Sequence, residues 1–175
     1  MPRAVIVRGL PGSGKTTWVL KRFEDRIIGG SMIHASADNY FYKEDPDYGE
    51  IRPSASGAGV VITPGFRYEF NPALLPQAHA ECQKTFIKAL ASGKDVVLDN
   101  TCSQMWEYQN YVLMAVAMGY DVEILSMRRV RTLEEAKLLF GRQQHGVPLD
   151  IFLKMWWRWE TDPNETVIEV MDVDL

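Results

Sequence analysis

The feature that most constrains this chain is a glycine-rich octapeptide near its start, Gly9-Leu-Pro-Gly-Ser-Gly-Lys-Thr16. It matches the pattern G-x-x-x-x-G-K-[ST] at every defined position. The apolar segment Arg3–Arg8 precedes it and predicts a buried strand, and residues with helical spacing follow it. Because this pattern binds phosphates when it lies between a strand and a helix, we predict a fold built around a phosphate-binding loop.

Each residue type in the motif has a physical role in holding a nucleotide. Its glycines allow backbone angles that turn N–H groups toward phosphate oxygens. The Lys15 ammonium can reach the β- and γ-phosphates of ATP, and the Thr16 hydroxyl can ligate Mg²⁺. We therefore predict ATP and Mg²⁺ as cofactors. The residues predicted to bind them in this loop and the following helical turn are Gly9, Pro11, Gly12, Ser13, Gly14, Lys15, Thr16 and Thr17.

Beyond the loop, apolar segments of strand length alternate with segments of helical periodicity. Strands that alternate with helices form a parallel sheet covered on both faces. We predict one α/β domain over residues 1–175, with a three-layer P-loop fold and helices on both faces of the sheet. The sheet should have about five strands, at residues 3–8, 32–36, 95–99, 121–127 and 166–170.

Two stretches depart from this alternation. Residues 42–66 are rich in Gly, Pro, Ser and acidic side chains without a sustained period, and predict a long variable loop. Residues 128–148 join a basic stretch to a helix and a His-Gly-Val-Pro turn, and predict a short helical lid. The basic residues of this lid region fit either a solvated helix face or an anion-binding surface.

Two aspartates stand at the ends of predicted strands. Asp99 closes the apolar run 95–99, where a P-loop fold places a second carboxylate near Mg²⁺; alternatively, it caps a turn. Asp38 follows the second strand, at the edge of the sheet where ligands bind. There it could accept a proton from an attacking hydroxyl, although from the residues alone it could equally cap the next segment.

Composition and charge argue against several classes of protein. A net charge of −4 argues against a broadly basic nucleic-acid-binding surface but leaves room for a local basic groove. The longest apolar run, 111–118, is too short to cross a membrane. Cys82 and Cys102 have neither a CxxC neighbour nor metal-ligand spacing. We expect a cytoplasmic protein that does not act at membranes, and no feature requires an obligate protein partner.

Six segments carry a more specific likeness: GLPGSGKTTW, SADNYF, YEFNPALLPQAHAEC, VVLDNT, the GY at residues 119–120, and RQQHGVPLDIFLKMWWRWE. In this order they resemble the polynucleotide-kinase-like branch of P-loop kinases. That branch includes the 5′-kinase domain of phage polynucleotide kinase and the NEDD4-binding-protein-2-like proteins. The resemblance covers nearly all of the chain outside residues 42–66.

The resemblance implies roles for five residues. Lys15 corresponds to the phosphate-binding lysine and Thr16 to the Mg²⁺-binding hydroxyl. Asp38 falls at the catalytic aspartate, the general base for a 5′-hydroxyl, and Asp99 at the second metal-site carboxylate. Arg142 lies where the lid supplies an arginine to ATP. The implied catalytic residues are therefore Asp38, Lys15 and Arg142, and the implied metal ligands are Thr16 and Asp99.

Three departures from the family pattern leave the phosphate acceptor open. Phe41 stands where the phage motif has an arginine for a substrate phosphate, and Cys102 replaces a second asparagine. Only two residues separate Arg142 from His145, so a second lid arginine is absent. Aromatic residues around the variable loop fit either a flat acceptor or a small satellite core: Tyr40, Phe41, Tyr42, Tyr48, Phe66, Tyr68 and Phe70.

The predicted function is an ATP-dependent kinase that acts on a hydroxyl of a polynucleotide or nucleotide, most simply a 5′-OH end. Alternative acceptors are a hydroxymethylated base within DNA, of the 5-hydroxymethyluracil type, a nucleoside and a small metabolite. A different class is an ATP-hydrolysing switch or binding module, which would not need Asp38 as a base. His79 could pack, cap or catalyse, and Trp157 could contact a neighbouring element or stack on a base.

Overall fold

The computed structural model describes residues 1–45, 50–53, 60–63, 65–143 and 146–169. The helices are α1 (Lys15–Ile28), α2 (Leu75–Ala91), α3 (Trp106–Ala117), α4 (Leu133–Arg142) and α5 (Leu149–Trp157). The strands are β1 (Arg3–Arg8), β2 (Met32–Ala35), β3 (Tyr42–Glu44), β4 (Glu50–Pro53), β5 (Val60–Thr63), β6 (Phe66–Tyr68), β7 (Asp95–Asn100), β8 (Asp121–Met127) and β9 (Thr166–Ile168).

A five-stranded parallel sheet forms the centre of the molecule, in the order β2-β7-β1-β8-β9. Its inner strands are buried on both faces because alternate side chains enter two different cores. Ala4 and Ile6 pack with α2 and α3 on one face, whereas Val5 and Val7 pack with α1 on the other. The predicted three-layer α/β fold with about five strands is confirmed.

A third core joins the lid to the phosphate-binding loop. Phe152 of α5 is fully buried against Ala136 of α4, Leu10 of the loop and Val130. The helix α4 begins with a capping box, in which the Thr132 hydroxyl accepts from Glu135 N and the Glu135 carboxylate accepts from Thr132 N. The predicted short helical lid is therefore present, although residues 144 and 145 lie outside the described residues.

The segment 42–66 differs from its prediction. In its described part, β3 pairs with β6 and β4 with β5, both antiparallel, so the predicted long variable loop contains short strand pairs that the sequence did not indicate. Strands of three or four residues are too short to show a period in sequence. Residues 46–49, 54–59 and 64, including Tyr48, lie outside the described residues.

None of the helices in the described ranges is both long enough and apolar enough to cross a membrane.

Candidate active site

The phosphate-binding loop connects β1 to α1 at the carboxyl edge of the sheet. Gly12 and Gly14 have φ angles of 79° and 85°, a region that side chains disfavour. The loop is held by the Gly9 N–H, which donates to Thr101 O at 3.1 Å, and by the Ser13 N–H, which donates to Leu10 O at 3.1 Å. No side chain of the described residues caps α1, whose N-cap is Gly14, so its first N–H groups are available to an anion.

Gly9, Gly12 and Gly14 of the loop are required for different structural reasons. A Cβ on Gly9 would lie 2.6 Å from Met127 Cγ, and one on Gly12 would lie 2.1 Å from the backbone oxygen of Leu139 in α4. A Cβ on Gly14 would meet no atom within 4 Å. Gly9 and Gly12 therefore allow close packing against β8 and the lid, whereas Gly14 is required for its backbone angle alone.

Thr16 and Asp99 meet in front of the loop. The Thr16 hydroxyl donates to Asp99 Oδ2 at 2.7 Å, and His34 Nε2 lies 3.3 Å from the same oxygen. Burial alone would raise the pKa of Asp99, but the His34 hydrogen bond, the Lys15 charge and the Thr16 hydroxyl together hold that pKa below its ordinary value. Asp99 is therefore a buried carboxylate ion.

This pair fits a Mg²⁺ ion. Asp99 Oδ1 is buried and has no hydrogen-bond partner among the described residues, so one oxygen of the carboxylate remains for a ligand. The described residues contain no group of three or more His, Cys, Asp or Glu side chains that could hold a metal alone. A hydroxyl and one carboxylate are the protein contribution expected for Mg²⁺ that is also bound by substrate phosphates and water.

Lys15 lies over the interior of the loop. Its ammonium donates to Leu10 O at 3.4 Å, and its charge contributes to the lowered pKa of Asp99. The cation, the uncapped helix end and the buried carboxylate are therefore grouped in the space where a polyphosphate and its metal ion would lie.

Asp38 lies in a short 3-10 helix, Ala37–Phe41, directly after β2. The Ser36 hydroxyl accepts from Asp38 N at 3.3 Å, so the cap and the candidate base belong to one turn. The Ala37 N–H donates to Asn100 Oδ1 at 2.9 Å. Since Asn100 follows Asp99, this bond fixes the segment of Asp38 to the strand end that carries the candidate metal ligand.

Tyr68 is a partner of Asp38 that sequence reasoning missed. The Tyr68 hydroxyl donates to Asp38 Oδ1 at 3.2 Å from strand β6. Burial and the neighbouring Asp38 carboxylate raise the pKa of Tyr68 above its ordinary value, so the hydroxyl stays protonated and continues to donate. His34 was also missed as a partner of Asp99, because a histidine within a short strand carries no pattern that marks it as a site residue.

Arg142 is exposed in the last turn of α4. Both Leu139 O and Gln143 N lie within 3.1 Å of a Cβ built on Gly12, so this turn rests on the loop. Gln143 then closes the lid turn, since its side chain donates to Val147 O at 2.7 Å and accepts from Val147 N at 2.8 Å. The structure thus places Arg142 beside the phosphate-binding loop, on a helix whose position is fixed at both ends.

A cleft opens on the lid side of the loop. Its walls are Leu10 and Ser13 of the loop, residues 127–130 at the end of β8, and three apolar side chains of the lid helices and the segment that follows them: Leu139, Trp156 and Trp159. The Ser13 hydroxyl is buried and has no hydrogen-bond partner among the described residues. The Trp156 indole donates to Val130 O at 3.0 Å, which fixes one wall.

A buried arginine anchors the start of the loop, and sequence reasoning did not identify it. Arg8 is fully buried and its guanidinium donates to Glu165 Oε2 at 2.8 Å, to Glu160 O at 2.7 Å and to Cys102 O at 3.0 Å. It also lies 4.8 Å from the ring centre of Tyr108. Arg8 precedes Gly9, so these bonds fix the start of the loop to the segments after β7 and α5.

Several candidates lie outside this constellation. Phe41 is 1% exposed and contacts the rings of Tyr68 and Phe70, so it is a core residue rather than a substrate contact. His79 is exposed on α2. Trp157 is 79% exposed, with its ring 5.2 Å from that of Trp156.

Residues 5–133 match the family model described as "AAA domain". Among curated relatives, human YLP motif-containing protein 1 is 29% identical over 171 residues, which is 91% of this chain and 7% of that protein. Human NEDD4-binding protein 2 is 28% identical over 122 residues, or 67% of this chain and 5% of that protein. The chain therefore corresponds to less than a tenth of the length of either relative.

Solved structures with the same fold include an RNA repair complex, Pnkp1/Rnl/Hen1, with a TM-score of 0.56 and 17% identity over 90% of this chain and 44% of the matched chain. A gluconokinase from Sinorhizobium meliloti 1021 has a TM-score of 0.54 and 15% identity over 98% of this chain and 84% of the matched one. These matches support the kinase-like P-loop fold, and the likeness to polynucleotide-kinase-like and NEDD4-binding-protein-2-like proteins is confirmed.

Proposed function

The chain belongs to the AAA-domain family of P-loop proteins, and we propose that within this family it is an ATP-dependent kinase. Its acceptor would be a hydroxyl of a polynucleotide or nucleotide, most simply a 5′-OH end. The observation that carries this proposal is the position of Asp38. Its segment is bonded to Asn100, the residue after the buried carboxylate Asp99. The segment that carries this carboxylate is thus anchored next to Thr101, to which the phosphate-binding loop is also bonded, and this supports Asp38 as the base that a kinase would need for its acceptor.

The loop supplies the binding of ATP. Backbone N–H groups at the start of α1, in residues 15–17, and the Lys15 ammonium would hold the β- and γ-phosphates. Thr16 and Asp99 would hold Mg²⁺, which neutralises charge on the phosphates when it is bound. The cleft between the loop, the end of β8 and the Trp156 wall is lined by apolar side chains together with Arg128 and Arg129. Its free volume of about 10 Å³ is smaller than an adenine, so the cleft would have to widen to take the base of the nucleotide.

Asp38 provides the chemistry at the acceptor. Its carboxylate accepts the proton of the acceptor hydroxyl while a new bond forms between that oxygen and the γ-phosphorus. The bond from the γ-phosphorus to the β–γ bridging oxygen breaks, and ADP leaves. The Tyr68 hydroxyl donates to Asp38 Oδ1, and this hydrogen bond would orient the carboxylate for the acceptor.

Arg142 completes the site from the lid. Its helix rests on Gly12, so an extended Arg142 side chain would bring the guanidinium toward the phosphates that the loop holds. An arginine in this position stabilises charge on the transferring phosphoryl group through paired N–H donors. Replacing Arg142 with lysine keeps the charge and removes the fork, so transfer should slow while ATP binding changes little.

A panel of acceptors tests the proposal. Purified protein is given Mg²⁺ and γ-³²P-ATP with 5′-OH DNA and RNA oligonucleotides, a 5′-phosphorylated duplex that contains 5-hydroxymethyluracil, and free nucleosides. Label on any of these that depends on Lys15 supports the kinase, and the acceptor identifies its class. Hydrolysis of ATP with no labelled acceptor would refute the proposal and favour a nucleotide-dependent switch.

A further inference from the structure

The two-stranded ribbon beside Asp38 has two chemically different faces. In the register of β3 and β6, Tyr42 lies opposite Tyr68 and Glu44 opposite Phe66. Because side chains alternate along a strand, these four residues share one face of the ribbon. Tyr68 donates to Asp38 from this face, so the face is continuous with the candidate base.

The face next to Asp38 is aromatic and accessible. Tyr42 is 40% exposed and Phe66 is 41% exposed, although large aromatic side chains are usually mostly buried. The Tyr42 and Tyr68 rings are in contact, with centres 5.1 Å apart. Behind them, buried Phe41 contacts both Tyr68 and Phe70, which gives the ribbon a rigid base.

The spacing of the exposed rings suits a planar guest. Tyr42 and Phe66 are diagonal neighbours on one face, and the Cα atoms of such neighbours lie about 7–8 Å apart in an antiparallel pair. A flat ring stacked between two others needs about 3.5–4 Å on each side. At this backbone spacing, the side chains of Tyr42 and Phe66 could turn to face the two sides of one aromatic ring next to Tyr68.

The cations of the ribbon lie on the other face. Lys43 and Arg67 are directly opposite each other in the register, and both share the carboxylate of Glu69 at 3.3 Å and 3.7 Å. On the aromatic face, the charged side chain between the described rings is Glu44, which would repel a phosphate. The chemistry of this face therefore favours a flat, uncharged group over an anionic one.

We infer that the β3–β6 ribbon binds the acceptor through its planar ring, held between Tyr42 and Phe66, and not through a phosphate of the acceptor. This inference rests on the proposed kinase function and adds how the acceptor is recognised. Tyr68 contributes both to binding and to catalysis, since its ring would lie under the acceptor ring and its hydroxyl positions the Asp38 carboxylate. Tyr42 and Phe66 determine specificity, and Tyr68 is a positioning residue.

Two modified oligonucleotides distinguish recognition of the acceptor's base from recognition of its nearest phosphate. In a 5′-OH pentadeoxynucleotide with an abasic first position, the acceptor hydroxyl and all phosphates remain but the ring is gone. In the second, a methylphosphonate replaces the first linkage, so the ring remains and the nearest charge is gone. The acceptor KM should rise roughly 5- to 150-fold for the abasic substrate, and by less than about twofold for the neutral linkage.

Variants on the two faces of the ribbon provide matched controls. Tyr42→Ala and Phe66→Ala should raise the acceptor KM toward that of the abasic substrate, Tyr42→Phe should not, and the KM for ATP should not change. Lys43→Ala and Arg67→Ala, on the opposite face, should leave both constants unchanged. Binding of a fluorescent 5′-OH pentanucleotide, measured by anisotropy, should show the same order and confirm that each effect lies in binding.

The outcomes distinguish this inference from the proposed function. If wild-type protein transfers phosphate but Tyr42→Ala and Phe66→Ala keep the wild-type KM, the ribbon does not hold the acceptor and the inference is wrong. A large effect of the neutral linkage, or of Lys43→Ala, would show that a phosphate is recognised and would also overturn it. Absence of transfer to every acceptor would instead refute the kinase function itself.

Discussion

Replacing Gly12 with alanine tests whether the lid rests on the phosphate-binding loop. The new Cβ would lie 2.1 Å from Leu139 O and 3.1 Å from Gln143 N, both backbone atoms of the lid. Carbon atoms in contact prefer at least about 3.5 Å, so α4 would have to retreat by about 1 Å or more. Gly14→Ala is the matched control, because Gly14 has a similar φ of 85° and open space around its Cβ position.

The difference in melting temperature between the two variants measures how much the contact between the lid and the loop contributes to stability. Both should lose about 1–2 kcal/mol because a side chain is forced into the left-handed region. Only Gly12→Ala also forces two packed backbones apart, at a further cost of about 1–3 kcal/mol. For a chain of this length, Gly12→Ala should therefore melt about 2–12 °C below Gly14→Ala, measured by circular dichroism without nucleotide.

The same displacement should appear in catalysis. A shift of about 1 Å in a positioning element can lower a rate by on the order of 10²-fold, so phosphate transfer by Gly12→Ala should fall to that extent as Arg142 moves away. Equal melting temperatures for the two variants would refute the packing of α4 on the loop. So would a Gly12→Ala protein that melts and reacts like wild type.

Three further substitutions follow from the contacts of the site. Arg8→Met should lower the free energy of unfolding in urea by about 3–5 kcal/mol, because it leaves the buried Glu165 carboxylate without its cation; a loss below about 1 kcal/mol would contradict this network. Tyr68→Phe keeps the ring and removes the hydrogen bond to Asp38, so kcat should fall about 10-fold while the KM for ATP stays constant; an unchanged kcat would exclude the positioning role. Asn100→Ala removes the acceptor for the backbone amide that anchors the Asp38 segment and should cost about 1–3 kcal/mol of stability; wild-type unfolding would show that this anchor is not needed.

The strands of the central sheet could be predicted because their signal is local. Residues 95–99 form a compact apolar segment, and the structure has a buried strand there, Asp95–Asn100. The same holds for Arg3–Arg8 and for Asp121–Met127, whose predicted bounds match the structure. A strand covered on both faces needs a continuous apolar run, which a single sequence displays directly.

The contacts that define the site could not be predicted because they are non-local. His34 meets Asp99 across 65 positions, and Arg8 meets Glu165 across 157. Nothing near either residue in the sequence indicates its partner. Phe41 was also undetermined in sequence, where the aromatic residues around the variable loop fitted either a flat acceptor or a small satellite core. The structure buries its ring against Phe70, so Phe41 belongs to a core.

The local motif predicts the phosphate site, whereas the non-local contacts that complete the site are seen only in the structure. The octapeptide predicts where phosphates bind, and the structure adds that Thr16 and Asp99 lie 2.7 Å apart in front of it. The candidate base was the least determined residue in sequence, because Asp38 is equally suited to capping a turn. The structure adds the hydrogen bond from Tyr68 to Asp38 and the bond that anchors the Asp38 segment to Asn100.

The most direct test of the kinase proposal is the partition of label in one reaction. Wild-type protein and Asp38→Asn are given γ-³²P-ATP, Mg²⁺ and an acceptor, and label is counted in the acceptor and in inorganic phosphate, with ATP affinity measured separately. We predict that wild type places most label on the acceptor and that Asp38→Asn lowers transfer by on the order of 10²–10⁴-fold with unchanged ATP affinity. Equal transfer by both proteins, or label found only in inorganic phosphate, would contradict the assignment of Asp38 as the base of a kinase.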